Sequence, residues 1–159
     1  MTRGLSTERR RRGERGAAAL EFAFVVPIFL ILVFGVIQFG LYFYSMQSGT
    51  SAVGEATRRM TVGDCQSTGS LQTMLFNRLG SATTAQSGAG ITVTPGYTKA
   101  DGTTAMAAPG EIGGTVKLTV TYPSLDMDFP LIPTPNNGVV TRSATARIED
   151  VTASTAGAC

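Results

Sequence analysis

The sequence contains no histidine and only two cysteines, Cys65 and Cys159. Without an imidazole, a His-based catalytic triad, a His-ligated zinc site and most neutral-pH general-base schemes are excluded. Two thiols alone cannot build a four-thiolate zinc site or an iron–sulfur cluster. A glycine-rich phosphate loop, a nucleophile elbow and a metalloprotease motif are also missing. Asp126, Asp128 and the Asp101-Gly102 pair lack the bidentate Glu and the further oxygens that a calcium loop needs, so they read as solvated loop carboxylates. The expectation is a protein that is not an enzyme and has no cofactor or metal.

Aromatic residues are scarce outside one region. Eight of the twelve lie between Phe22 and Tyr44, leaving Phe76, Tyr97, Tyr122 and Phe129 for the rest. Any core beyond Tyr44 must therefore be thin and built from Val, Leu, Ile and Met. Charge is divided as well. Residues 1–16 hold six Arg against Glu8 and Glu14, a balance of +4, and residues 17–159 hold seven basic against nine acidic side chains, a balance of −2. The larger part is thus no nucleic-acid surface, and none is expected as a partner.

What the chain does have is one long apolar run. Between Phe22 and Tyr44 only Gln38 is conventionally polar, and 23 helical residues rising about 1.5 Å each would cross a hydrocarbon core of about 30 Å. The run exceeds the h-region of a cleaved secretory signal, and no A-x-A-like site follows it directly. A single transmembrane helix over 17–44 is expected, in contact with membrane lipid. The leader 1–16 has no apolar periodicity and reads as a disordered basic tail. Arg9 to Arg12 and Arg15 before the span place the N-terminus in the cytoplasm and the C-terminal part outside the cytoplasmic membrane. Pro27 cannot donate to the Ala23 carbonyl, so a kink is expected there. Tyr42, Phe43 and Tyr44 suit the headgroup level at the exit.

The helix is expected to continue over 45–62. Met46, Val53 and Met60 recur every seven residues, and Ser45, Gly49, Ala52 and Ala56 make a seam of small side chains beside them. The seam suits close approach of another helix or of the chain's own C-terminal domain. Gly63 ends the pattern, with Arg58 and Arg59 at the negative end of the helix dipole.

Residues 63–159 read as an α+β domain. A short amphipathic helix is expected over Ser70 to Leu79, with Ser70 as N-cap, Gly80 as its stop and Leu71, Met74, Leu75 and Leu79 buried. Alternation at period two marks about three strands: Ile91 to Thr94, ending at Pro95, Thr115 to Tyr122, and Val139 to Ile148. They predict a small antiparallel sheet laid on the upper part of the long helix. Residues 80–90 and 98–114 read as loops, and so does the four-proline stretch PSLDMDFPLIPTPNNG between the last two strands.

Glu21 is the awkward residue. A carboxylate near the start of an apolar span costs free energy unless it finds a partner or reaches the headgroups beside Arg15. Its setting, Gly16-Ala-Ala-Ala-Leu-Glu21-Phe22 behind a basic leader and ahead of a long helix, resembles the processing site of the type IV pilin superfamily. It is most similar to the tight-adherence (Flp pilus) branch, and GAAALEF, the run EATRRMTVG and the late ARIED resemble TadE-like pseudopilins. The resemblance implies cleavage by a prepilin peptidase after Gly16, Ala17 as the new N-terminus, and Glu21 and Phe22 as assembly residues meeting other pilin subunits. The implied role is a minor pilin or pseudopilin that assembles or primes the pilus. The rival reading is a permanently anchored binding module that is never processed.

Cleavage would expose an α-amine with a reference pKa of about 7.7 to 8.0 that could pair with Glu21 of a neighbouring subunit and offset the burial of both charges. Outside the membrane, Cys65 and Cys159 would form a disulfide or remain two free thiols, and the oxidising compartment favours the disulfide.

Overall fold

The computed structural model describes residues 6–151 apart from Gln66, Pro109 and Pro130, with side-chain surroundings from Gly16 onward. Cys159 and the first five residues of the leader lie outside the described residues.

The molecule is organised on α1 (Ser6–Thr61), a continuous helix of 56 residues that includes Pro27. Its start at Ser6 corrects the expectation of a disordered leader. Arg and Glu are good helix formers, and a nucleated helix propagates into such a stretch one hydrogen bond per residue. At the other end Gly63 takes φ +80°, its N–H donates to Met60 O at 3.3 Å and the Asp64 N–H donates to Arg59 O at 3.0 Å. That left-handed turn closes the last carbonyls, as the glycine predicts.

The second helix, α2 (Thr68–Leu79), buries Leu71, Met74, Leu75 and Leu79, the four residues its periodicity selects. Its N-cap is Ser67 rather than Ser70, although Ser67 makes no side-chain capping bond. Thr68 and Gly69 thus join the helix ahead of the expected start. Gly80 ends it at φ +49°.

Four strands form one antiparallel sheet in the order β2-β1-β3-β4: β1 (Thr92–Thr98), β2 (Ala105–Met106), β3 (Thr115–Pro123) and β4 (Val139–Arg147). The α+β expectation holds, and β2 adds a two-residue strand inside a stretch read as loop. Pro95 does not end β1. Opposite β3 it pairs with Leu118, while β2 reaches only Tyr97 and Thr98, so on that side Pro95 lies on an open edge where a missing N–H leaves no ladder bond unmade. On β3 the expected face of Val116, Leu118, Val120 and Tyr122 is buried to 1% exposure or less. Each such aliphatic residue contributes about 1.5 to 3 kcal/mol through burial. β4 is more open than its pattern suggests, since Val140 is buried but Ala144 and Ala146 only partly; Ile148, buried, falls just past its end.

The core lies between this face, α2 and the upper half of α1, where Ala52, Val53, Ala56 and Met60 are buried. The seam of small residues is covered by the chain's own domain. Glu55 joins the two helices, meeting Arg59 at 3.1 Å and Arg78 at 3.7 Å. The Arg59 hydrogen bond, reinforced by the charges of Arg59, Arg78 and Arg58, holds the Glu55 carboxyl below its usual range.

Candidate functional site

The lower half of α1 stands clear of the sheet and of α2. From Gly16 to Leu32 all but one residue is exposed, including Leu20, Phe22, Phe24, Val25, Ile28 and Phe29. Side chains this apolar and this uncovered require a non-aqueous surrounding or another helix. By length and composition the helix is a candidate membrane span, consistent with a single-pass anchor. Gly16, Ala17, Glu21 and Phe22 lie on this bare part of the helix. All four are exposed, and a Cβ on Gly16 would meet nothing within 4 Å. Gly35 and Gly40 are equally open and sit in a shallow apolar groove with Val36, Phe39 and Phe43.

The upper half is pinned at successive levels. The Tyr122 hydroxyl donates to the Ser45 carbonyl at 2.6 Å. Gly49 makes this possible, because a Cβ there would overlap the phenol. The Leu125 N–H donates to Ser45 Oγ at 3.1 Å, and Arg142 Nε donates to Met46 O at 3.3 Å. Lower still, the Met127 N–H donates to Gln38 Oε1 at 3.1 Å, and the Phe129 ring stacks on Phe34 with centroids 4.5 Å apart. Gln38 is 1% exposed and its Nε2 has no hydrogen-bond partner among the described residues.

Sequence reasoning missed Gln38, Tyr122 and Phe129 as docking residues. A signal for Gln38 was present: it is the lone polar residue of the apolar run and lies two helical turns below the seam, seven residues before Ser45. Nothing local marks Phe129, whose contact spans 95 positions of sequence.

At the top of α1, two motifs far apart in sequence meet. The Glu149 and Asp150 N–H groups, from ARIED, both donate to the Thr61 carbonyl of EATRRMTVG, at 2.9 and 3.0 Å, and Val62 forms a bridge with Asp150. Ile148 is 1% exposed beneath them. Nearby, Cys65 is buried and is not a free thiol; its expected partner Cys159 lies outside the described residues.

Among the described residues no group of three or more His, Cys, Asp or Glu is placed to hold a metal ion. Asp101 and Asp126 instead organise turns. Asp101 accepts from Thr104 Oγ1 and from the N–H groups of Thr103 and Thr104, while Asp126 accepts from Thr134 Oγ1 and the Asp128 N–H.

No curated protein and no solved structure matches the chain. Residues 16–58 match the family model of TadE-like proteins. The matched segment starts at Gly16, contains Glu21 and Phe22, and runs up the helix through the seam that seats the domain. Over these residues the chain is similar to TadE-like proteins.

Proposed function

We propose that this protein is a minor pilin or pseudopilin that assembles or primes a tight-adherence pilus. It would be anchored in the cytoplasmic membrane with its N-terminus inside and the α+β domain outside, and matured by a prepilin peptidase between Gly16 and Ala17. The observation that carries this reading is the family match over Gly16, Glu21 and Phe22 on a helix whose apolar lower half is left almost wholly exposed. In this reading Glu21 fixes register. Its carboxylate pairs with the freed Ala17 amine of an adjacent subunit, so only the correct stagger leaves neither charge unpaired in an apolar surrounding.

Two experiments test it. N-terminal sequencing or intact mass of the membrane-bound protein is expected to give a start at Ala17, and an N-terminus that retains the residues before Gly16 overturns the reading. The Glu21→Ala variant is expected to be cleaved and inserted normally yet to be absent from isolated pilus assemblies; incorporation at the wild-type level would remove the register role.

A further inference from the structure

The chain between β3 and β4 does something its proline content does not announce: it runs back down alongside α1. Phe129 stacks on Phe34, and Leu131 and Ile132 share an apolar pocket with Pro27, Leu30, Ile31 and Phe34. Phe34 lies one helical turn, about 6 Å, below Gln38, and Pro27 about 16 Å below it. Leu131 is 74% exposed and adjoins Leu30 and Ile31, which are themselves 41% and 43% exposed.

We propose that Phe129, Leu131 and Ile132 form a second membrane-inserted element, an apolar loop tip immersed among the acyl chains of the leaflet on the domain's side. The proposal rests on the reading of α1 as a membrane anchor. Three observations favour lipid as the occupant. The first is that adjacency: the tip packs on the part of α1 that the membrane itself must cover.

The second is that several of the loop's backbone donors are absent or paired. Prolines at 130 and 133 have no N–H, the Ile132 N–H donates to Phe129 O at 3.2 Å, and the Met127 and Asp128 N–H groups donate to Gln38 and Asp126. Non-helical backbone is tolerated at membrane depth where it is buried in protein, and at Phe129 the loop packs on Phe34 of α1.

The third is a polar rim. Asp126 and Asp128 are exposed just above the tip, at the level where Gln38 is bonded to the loop. Carboxylates do not enter hydrocarbon without a large cost, so this rim marks the headgroup level. The outer boundary of the span then falls near Gln38 rather than at Tyr44. Ala17 to Ile37 makes about 32 Å of helix, matching a core of about 30 Å, and Phe43 and Tyr44 stand about 8 to 9 Å higher, at the level of the headgroups.

The chain has no tryptophan, so a single introduced indole reports one position. The full chain carrying Leu131→Trp, Val25→Trp or Thr145→Trp is reconstituted in phosphatidylcholine vesicles with and without lipid brominated along its acyl chains. Val25 is exposed low on α1, and Thr145 is exposed high on the sheet. The expected result is that Leu131→Trp and Val25→Trp emit to the blue and lose most of their emission to brominated lipid, while Thr145→Trp loses little. Leu131→Trp emission typical of water, or blue emission that brominated lipid does not quench, overturns the proposal if Val25→Trp is quenched. The unquenched blue case would assign the tip to a protein partner. Failure of quenching at both positions overturns the anchor reading and the proposal with it. An unchanged thermal midpoint of Leu131→Trp in detergent establishes that the exposed substitution leaves the fold intact.

Discussion

At the scale of single residues, the docking of the domain turns on Tyr122 and Gly49. The phenol reaches a main-chain carbonyl of α1, and only a residue without a side chain lets it in. Gly49→Ala forces the ring or the helix aside, and overpacking of this kind costs about 1 to 3 kcal/mol, measurable as a lower thermal midpoint in detergent. Tyr122→Phe is milder, about 0.5 to 1.5 kcal/mol for one hydrogen bond. Burial pushes the Tyr122 hydroxyl from its ordinary pKa of 10.0 up to about 12. The folded state therefore keeps its proton after the unfolded chain has lost it. The stability this represents is complete below pH 10 and is lost as the pH rises to about 12. A series of thermal midpoints across that window should fall more steeply for the wild type than for Tyr122→Phe.

At the scale of elements, the turn between β1 and β2 depends on one carboxylate. Hydrogen bonds from the Thr104 hydroxyl and then from the N–H groups of Thr104 and Thr103 draw Asp101 down from 3.8 to about 2. Its depressed pKa makes the contribution complete above 3.8, and the contribution is lost as the pH falls through about 2. Faster amide exchange of Thr103 and Thr104 through that acid window, ahead of the β3 amides, is the expected observation. The elements differ in how far local sequence determines them. The heptad spacing of Met46, Val53 and Met60, the alternation of β3 and the glycine stops at 63 and 80 are local periodicities set by one dominant partner surface, and they were legible. Pro95 in a strand was not, because its tolerance depends on which neighbour is missing from an edge. The two-residue β2 is shorter than any period. The family resemblance of Gly16 to Phe22 could be read from its residue types, yet nothing in it points to the loop contact at Phe34, which exists only once β3 and β4 are paired.

At the scale of the whole molecule, the described residues join helix and domain in a dense set of contacts, and we propose that a Cys65–Cys159 disulfide adds the last one. It would close an interval of about 95 residues and stabilise by roughly 4 to 5 kcal/mol in the chain-entropy picture. Intact mass is expected to rise by two hydrogens on reduction, and Cys65→Ser to lower the thermal midpoint under oxidising conditions but not in reductant; an unchanged mass would dismiss the bridge. The attachment points matter by their order along α1. Gln38, Ser45, Met46 and Thr61 each hold a different part of the domain, from the loop after β3 up to the chain following β4. A tensile load applied along the helix axis, as in a fibre under pull, would be shared among these fastenings in shear rather than opening them one after another. The domain is mounted as a splint on its helix, and a subunit built this way transmits strain along the rod without peeling away from it.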